Sequence, residues 1–458
     1  MKRFIASFSA KLLAKLLRGL RFSGGTALPG LLGERFFPSL LSELAERFSK
    51  GTILITGTNG KTTTARLITN ILKTKGYKVV HNYTGSNLTR GILGQILLET
   101  DFWGNFQADF GVFEVDEATM EKAASALKPR VILVTNLFRD QLDRYGELDK
   151  VASIIKSSLK LASEFVILNG DDPLVSSLAN EVNISKLFYG INETSISLPK
   201  SVVDLNHCPL CDEELHFNSR LYGHLGDYKC PKCGFKRPEP DIFAYDIQFN
   251  PDFSISFKVD IKGKVREVHF PLYGIFNVYN FLASLSLCVA LGFDISSSLA
   301  IISQATPAFG RLEKFKVDSK ECILLLAKNP VGFSINIDTL KRDKRKKNFL
   351  LILNDNLADG TDTSWIWDVD FESLNEENFR FAVCAGIRAE DIALRLKYAG
   401  IPPSKLEVIN PIGKAFEKAI SLMDKGEVLY ILPNYTAMLN IRAYLAKEGI
   451  LKDFWMMK

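Results

Sequence analysis

Histidine is scarce in this chain, and long apolar runs are missing. The five histidines among the 458 residues are His81, His207, His216, His224 and His269. Residues 270–458 therefore contain cysteine but no histidine, and this region cannot build a cysteine–histidine nucleophile by itself, because the imidazole base is absent. No uninterrupted apolar run reaches the length that a membrane-spanning helix needs.

Net charge and cysteine are also limited. The formal net charge is +5, which is mild for 458 residues and gives no argument for a nucleic-acid partner. Four of the seven cysteines form two C-x-x-C pairs, which favours a metal site in a reducing cytosol over disulfides. Hydrophobic residues make up 47% and charged residues 24%, as expected for a globular chain of two or three domains.

The first 22 residues contain no acidic residue. One helical face would carry the apolar side chains Phe4, Ile5, Phe8, Leu12, Leu13, Leu16, Leu17 and Leu20. The six basic residues are Lys2, Arg3, Lys11, Lys15, Arg18 and Arg21. A signal peptide is disfavoured because Lys11 and Lys15 interrupt the apolar centre. Two alternatives stay open for this helix. It would either lie on the anionic inner face of the cell membrane or pack on the body of a cytoplasmic protein.

The segment 52–64 predicts a site for nucleotide phosphates. An apolar β-branched run ends at Thr56, a loop with two glycines follows, and Lys61 opens a helical pattern. This order surrounds a phosphate with backbone N–H groups and a helix N-terminus, and it brings the charge of Lys61 to the outer phosphates and the hydroxyl of Thr62 to Mg²⁺. The predicted phosphate-binding residues are Gly57, Thr58, Asn59, Gly60, Lys61, Thr62 and Thr63. The alternative is a strand, a turn and a helix with an incidental lysine.

Alternating strand and helix patterns predict an α/β fold with a mostly parallel sheet and helices on both faces. Further strands are predicted at 78–81, 110–115, 131–135, 165–168 and 186–189. Antiparallel strands follow at 242–249, 253–259 and 265–270, and a second α/β unit has strands at 322–327, 348–353, 379–384, 406–409 and 428–432. Residues 23–30 are predicted to be a flexible connector, and 38–48 a short helix.

Polar residues follow three of these strands, at the sheet edge where ligands bind in such folds. Glu114 ends an apolar strand and is suited to hold Mg²⁺, although an acidic strand end that faces solvent would look the same. The second is the segment 134–143, which includes Thr135 and Asn136. The third is Asn169-Gly170-Asp171-Asp172-Pro173.

The four paired cysteines are Cys208, Cys211, Cys230 and Cys233. Two C-x-x-C knuckles eighteen residues apart supply four thiolates in the tetrahedral arrangement of a structural Zn²⁺ ribbon. Four soft ligands leave no open coordination position, so a catalytic role is disfavoured. We therefore predict an inserted structural or docking module at about residues 205–237.

These motifs resemble the Mur ligase family, which also includes folylpolyglutamate synthases. G-T-N-G-K-T-T-T at 57–64 is similar to the ATP loop of the family, and Glu114 matches its metal-binding glutamate. The resemblance implies ATP and Mg²⁺, and a reaction in which a carboxylate is phosphorylated and an amine attacks the acyl phosphate. The family has a histidine that helps to bind a second metal at the position of Gln141. The resemblance therefore does not decide whether this chain has a second Mg²⁺ site.

Two further segments carry the resemblance. Residues 273–280 are similar to the family segment that meets the adenine, which implies a nucleotide contact for Asn277; an ordinary helix start with Asn277 as N-cap is the alternative. Residues 309–313 are similar to the end of the central domain, which implies that Arg311 contacts a phosphate.

The resemblance divides the chain into three parts. Residues 1–48 would be an N-terminal helix and connector, residues 49–313 a central ATP-binding domain with the zinc insertion, and residues 314–458 a Rossmann-like C-terminal α/β domain.

The motif at 354–368, N-D-N-L-A-D-G-T-D-T-S-W-I-W-D, resembles Mur-type synthetase subunits that amidate lipid II. The resemblance implies ATP-dependent conversion of the D-glutamate α-carboxylate of the stem peptide to D-isoglutamine in peptidoglycan biosynthesis. A GatD-like class I glutaminase would supply the ammonia, and Asp355 would complete the cysteine–histidine triad of that partner. An acidic turn is the alternative for this loop.

The alternatives for the whole chain are an amino-acid-adding Mur ligase and a non-catalytic scaffold that regulates a glutaminase.

Overall fold

The structure is a computed structural model of the chain. It describes residues 11, 27–82, 87–101, 103–138, 148–193, 205–306, 311–374 and 378–451. The amphipathic segment 1–22, apart from Lys11, and Gln141 lie outside the described residues, as do residues 307–310.

The elements alternate as the sequence predicts. The strands are β1 Thr52–Thr56, β2 Val79–His81, β3 Phe110–Glu114, β4 Val131–Val134, β5 Phe165–Asn169, β6 Ser185–Ile191, β7 His216–Tyr222, β8 Leu225–Lys229, β9 Ile242–Phe249, β10 Ile255–Ile261, β11 Lys264–Phe270, β12 Arg311–Val317, β13 Lys320–Leu325, β14 Lys347–Ile352, β15 Phe379–Ala385, β16 Leu406–Val408 and β17 Val428–Pro433. The α-helices are α1 Ala27–Phe36, α2 Leu40–Ala45, α3 Lys61–Thr74, α4 Thr89–Glu99, α5 Met120–Leu127, α6 Leu148–Leu159, α7 Pro173–Ser177, α8 Ile275–Ala290, α9 Ile295–Ile302, α10 Pro330–Lys341, α11 Ala389–Tyr398, α12 Ile412–Leu422 and α13 Tyr435–Lys447.

Within the described residues, nine strands form the central sheet in the order β11-β10-β9-β6-β5-β4-β1-β3-β2. The neighbours from β9 to β2 pair in parallel, whereas β10 and β11 add an antiparallel end. Strand β1 lies between β3 and β4, so its side chains alternate between two buried layers. Ile53 and Ile55 face the layer that contains α3 and α8, while Leu54 faces the layer that contains α4, α5 and α6.

The second sheet has the order β12-β13-β17-β14-β15-β16 in the described part of the chain. Its neighbours from β13 to β16 are parallel, and the same alternation buries both faces. Phe349 and Leu351 of β14 pack with α10 and α11, whereas Leu350 and Ile352 pack with α12 and α13. The predicted fold class, with two α/β units and an insertion, is therefore confirmed.

The flexible connector predicted at 23–30 is wrong over its last residues, because α1 begins at Ala27. Pro29 lies in the first turn of α1, where its missing N–H is tolerated. Gly30 and Gly33 let α4 approach closely: a Cβ at Gly30 would lie 1.6 Å from the carbonyl oxygen of Arg90. Packing against α4 thus stabilises a helix that glycine and proline content alone disfavour.

The strand predicted at 253–259 begins two residues late, at Ile255. Phe253 has φ 71°, and its N–H donates to the carbonyl of Asn250, so residues 250–254 form the turn between β9 and β10. None of the helices among the described residues combines the length and apolar character that crossing a membrane requires.

Candidate functional site

The loop between β1 and α3 has glycine where no other residue fits without strain. Gly57 and Gly60 have φ values of 121° and 92°. A Cβ at Gly57 would lie 2.3 Å from Oγ1 of Thr135, and one at Gly60 would lie 2.2 Å from Oδ1 of Asn280. Both glycines are therefore needed for the loop to pack between the strand ends and helix α8.

Residues 135–138, which follow β4, brace this loop. The N–H of Thr58 donates to the carbonyl of Asn136 (2.8 Å), and the N–H of Asn59 donates to Oδ1 of Asn136 (2.9 Å). The N–H of Phe138 donates to Oγ1 of Thr58 (2.9 Å). These hydrogen bonds hold the loop on the side that packs against residues 135–138. The shape of the loop is therefore set by the protein itself.

Lys61, the first residue of α3, contacts both an acidic side chain and the backbone of the loop. Its Nζ lies 2.7 Å from Oε1 of Glu117 and also contacts the carbonyl of Gly57. Burial is the largest single influence on the pKa of Glu117 and raises it, but the charge and hydrogen bond of Lys61, together with smaller contributions, outweigh burial and hold that pKa below its ordinary value. The pair is thus charged, and the ammonium lies against the loop.

Thr62 and Glu114 lie together beside the loop. The hydroxyl of Thr62 donates to Oε2 of Glu114 at 2.9 Å. Two oxygen ligands in neighbouring positions around Mg²⁺, each about 2.1 Å from the ion, lie about 3 Å apart. The two side chains therefore have the chemistry and spacing that a Mg²⁺ ion requires.

Unsatisfied polar atoms also point to a ligand at this site. In the described part of the chain, four buried atoms near the loop have no hydrogen-bond partner: Thr56 Oγ1, Asn59 Nδ2, His81 Nε2 and Asn87 Oδ1. Leaving a buried donor or acceptor unpaired costs about 1–3 kcal/mol, so such groups are rare outside functional sites. Of these atoms, Asn59 Nδ2 belongs to the loop itself and His81 Nε2 faces Glu114, so a polar ligand bound at the loop would lie beside unpaired groups.

The structure brings Asn277 close to the loop through Asn280. The amide of Asn280 donates to Oδ1 of Asn277 (2.9 Å), and Oδ1 of Asn280 accepts from Oγ1 of Thr64 (3.3 Å). Helix α8 begins at Ile275, so Asn277 is its third residue and not its N-cap. Arg311 is the first residue of β12, which pairs with β13.

Two residues of the second unit act on this site, and neither was predicted from the sequence. Nδ2 of Asn329 donates to Oδ1 of Asn59 (3.2 Å), while Oδ1 of Asn329 caps α10 through the N–H of Gly332. The charge of Lys328 lowers the pKa of Glu117 further. Asn329-Pro330 is a helix-start signal in the sequence, but nothing there indicates that α10 begins beside the phosphate loop.

The cysteine-rich insertion is built into the same site. The tip of the β7–β8 hairpin places Tyr222 and His224 against Phe138, with ring centroids 4.9 and 4.6 Å apart. A Cβ at Gly223, where φ is 58°, would lie 2.6 Å from the Phe138 ring. Phe138 in turn holds Thr58 of the loop, so the insertion supports the phosphate loop through one intermediate residue.

The four predicted zinc ligands converge at the other end of this hairpin. All four Sγ atoms lie within 4.8 Å of one another, with Cys208–Cys233 at 3.6 Å and Cys211–Cys230 at 3.5 Å. The backbone N–H of Cys233 contributes most to lowering the pKa of Cys230 to about 6. Four sulfurs that converge in this way suit a tetrahedral Zn²⁺ ion.

Asp355 lies three residues beyond β14, on the carboxyl side of the second sheet. The start of the loop is held by Asn434: its Oδ1 accepts from the N–H of Asn354 (3.1 Å), and its Nδ2 donates to the carbonyl of Asn354 (2.6 Å). The Asp355 side chain is 28% exposed and lies 3.8 Å from Nε of Arg388. This carboxylate is therefore held at the surface, available to a group outside the chain.

Large apolar side chains are exposed near this carboxylate, a set that we call the Asp355 surface. Its members are Leu357, Trp367, Ile387, Leu394 and Tyr398, which are 46–84% exposed. A groove of about 320 Å³ contains Trp367, Leu394 and Arg388 in its lining. Exposed apolar clusters with a polar rim are typical of protein-binding surfaces.

Comparison with known proteins assigns both units. The family described as Mur ligase middle domain matches residues 55–225, and the family described as MurT ligase C-terminal matches residues 326–438. The MurT subunit of the glutamine-hydrolysing lipid II isoglutaminyl synthase from Streptococcus pneumoniae strain R6 is 32% identical over 442 residues, which cover 94% of this chain and 95% of that protein. The corresponding Staphylococcus aureus strain COL subunit is also 32% identical, with 96% of each chain covered.

A solved structure shows the same architecture. A pseudomurein peptide ligase type C from Methanothermus fervidus superposes with a TM-score of 0.69 and 25% identity, covering 89% of this chain and 80% of its own. The similarity extends over both α/β units.

Proposed function

The chain belongs to the family of MurT subunits of lipid II isoglutaminyl synthase, within the Mur ligases, and from this premise we propose its reaction. It is a ligase that amidates lipid II in peptidoglycan synthesis. We propose that ATP phosphorylates the α-carboxylate of the stem-peptide D-glutamate, and that ammonia displaces the phosphate to give D-isoglutamine. The proposed boundaries remain 1–48, 49–313 and 314–458.

The observation that supports this reaction best is the arrangement of Lys61, Thr62 and Glu114 around a preformed loop. Lys61 is placed to bring positive charge to the transferring phosphoryl group, and Thr62 with Glu114 would hold Mg²⁺. Bound Mg²⁺ would neutralise developing charge on that group and keep it in line. We propose that Asn277 and Arg311 contact the nucleotide. Lys328 and Asn329 would bring the second unit into contact with its phosphates.

We propose that Asp355 serves a second active centre, in a GatD-like class I glutaminase. The C-terminal unit lacks histidine, so Asp355 has no imidazole of its own unit to orient. A partly exposed carboxylate just beyond a strand end, bordered by the Asp355 surface, is suited to complete the triad of a docked partner.

Reconstitution tests the proposed reaction. The chain, its glutaminase partner, ATP, Mg²⁺, glutamine and lipid II should yield the amidated stem peptide by mass spectrometry, and ammonium should replace both partner and glutamine. ATP turnover with a free amino acid and no partner would favour an amino-acid-adding ligase. An absence of ATP turnover under all these conditions would favour a regulatory scaffold.

We propose that Cys208, Cys211, Cys230 and Cys233 hold one structural Zn²⁺, and that losing it disturbs the nucleotide site. Cys230→Ser should remove the metal, lower the melting temperature and weaken binding of an ATP analogue, because the hairpin supports Thr58 through Phe138. Elemental analysis, thermal melting and nucleotide titration measure these effects. Lys232→Ala, an exposed residue of the same knuckle, is the control that should change none of them.

A Cys230→Ser variant that keeps its zinc would refute the ligand assignment. A variant that loses zinc but binds the nucleotide as the parent does would show that the hairpin is not a support of the loop.

We also propose peripheral contact with an anionic membrane through residues 1–22. Helix α1, which follows them, exposes an apolar stripe of Leu28, Leu31, Leu32 and Phe36 that would continue such a surface. Each basic residue near an anionic bilayer contributes about 1 kcal/mol. Lys11 donates to the carbonyl of Thr100, so removing the other five should weaken binding by several orders of magnitude. Co-sedimentation with phosphatidylglycerol vesicles should be lost in a variant lacking residues 1–22 and reduced by Phe36→Glu. Equal sedimentation with neutral phosphatidylcholine vesicles would contradict this proposal.

A further inference from the structure

His81 is a buried histidine whose role the reaction described so far leaves open. It ends β2, and its register partner on the neighbouring strand β3 is Val112. Glu114 lies two residues beyond Val112 and therefore on the same face of the sheet. The His81 side chain is 7% exposed and that of Glu114 only 1%, so both are shielded from water.

The two side chains face each other at a distance slightly beyond a hydrogen bond. Nε2 of His81 lies 3.6 Å from Oε1 of Glu114, and within the described residues this nitrogen has no hydrogen-bond partner. The other carboxylate oxygen, Oε2, already accepts from Thr62. The carboxylate thus presents one oxygen to Thr62 and the other to the imidazole.

The backbone beside these residues is locked. Nδ2 of Asn82 donates to the carbonyl of Glu114, and the N–H of Glu114 donates to Oδ1 of Asn82, both at 2.9 Å. His81 and Glu114 are therefore held at a fixed separation, and only a small rotation of their side chains is needed to form the missing hydrogen bond.

We propose that His81 is a positioning residue for the divalent cation of the nucleotide site. Its Nε2–H donates to Oε1 of Glu114, which keeps Oε2 directed at the ion beside Oγ1 of Thr62. Carboxylate ligands of metals are themselves commonly held by hydrogen bonds, and loss of such a partner weakens metal affinity about 10- to 100-fold. This inference rests on the proposed assignment of Thr62 and Glu114 as the metal ligands.

The test measures Mn²⁺ affinity and not catalysis. Free Mn²⁺ is followed by electron paramagnetic resonance as the full-length protein is titrated in the presence of adenylyl imidodiphosphate. His81→Leu should weaken Mn²⁺ binding about 10- to 100-fold. His81→Gln, which keeps an N–H donor, should recover most of the affinity, and His269→Leu, an exposed histidine on β11, should match the parent. Nucleotide binding in EDTA should be equal in all four proteins.

The outcomes separate this inference from the proposed function. A parent protein that binds no Mn²⁺ with the nucleotide would overturn the metal-site assignment and this inference with it. A parent that binds Mn²⁺ and a His81→Leu variant that binds it equally well would overturn the inference alone, as would a His81→Gln variant that loses as much affinity as His81→Leu. Should thermal melting show that His81→Leu is unfolded, His81→Asn, whose shorter side chain withdraws the donor, takes its place under the same criteria.

Discussion

Replacing Lys61 by alanine should abolish ATP-dependent amidation of lipid II while leaving the binding of the proposed glutaminase partner intact. Lys61 is the one cation at the start of α3, and it lies against the carbonyl of Gly57, where the outer phosphates would bind. Removing a cation that stabilises charge on a transferring phosphoryl group costs on the order of 10³-fold or more in turnover. Ammonium-driven amidation and a pull-down with the partner measure the two expectations.

The same substitution has a predictable side effect on folding. It leaves the buried carboxylate of Glu117 without its ion-pair partner, and an uncompensated buried charge is strongly destabilising. The double variant Lys61→Ala/Glu117→Gln removes that charge, so it should recover melting temperature without recovering amidation. Lys73→Ala, an exposed lysine of the same helix, should behave as the parent does. Substantial amidation by Lys61→Ala would refute the assignment of the loop.

Replacing Asp355 by asparagine should collapse the glutaminase activity of the complex and spare the synthetase site. Asparagine keeps the shape of the side chain and removes the charge. In a catalytic triad, such a change costs on the order of 10⁴-fold in turnover, because the imidazole loses the group that fixes its tautomer and stabilises its protonated form. Glutamine-driven amidation should fall with glutaminase activity, whereas ammonium-driven amidation should persist.

Arg388 complicates this experiment, since it lies 3.8 Å from Asp355 and 2.6 Å from Asp391. Asp391→Asn therefore serves as the matched control: it removes a carboxylate from the same arginine without touching the proposed triad, and it should retain most of the glutaminase activity. If glutamine-driven and ammonium-driven amidation fall together in Asp355→Asn, Asp355 belongs to the synthetase site and the cross-subunit triad is wrong.

The fold was predictable because its signals are local. The buried run before Gly57 and the alternation of strands and helices required only patterning and turn chemistry. The start of α1 was not predictable in the same way, because Gly30 is disfavoured in isolated helices and is acceptable here only where α4 packs against it. The correct assignment needed a contact made by residues sixty positions away in the chain.

The residues of the site also fall into two groups, those with a local signal in the sequence and those without one. Lys61, Thr62 and Glu114 lie in motifs at strand ends, so the sequence indicates them. His81 and Asn329 carry no local signal, since one ends an edge strand and the other caps a helix of the second unit. The link from the cysteine hairpin through Phe138 to Thr58 depends on tertiary packing, which neither C-x-x-C pair indicates.

The transfer of oxygen from lipid II to phosphate tests the central claim most directly. Lipid II with heavy oxygen in the α-carboxylate of its D-glutamate is converted by the chain with ATP, Mg²⁺ and ammonium, and the released inorganic phosphate is analysed by mass spectrometry. Attack of that carboxylate on ATP predicts that each amide formed leaves one labelled oxygen in inorganic phosphate. Amide formation with unlabelled phosphate would contradict an acyl phosphate at the Lys61, Thr62 and Glu114 site.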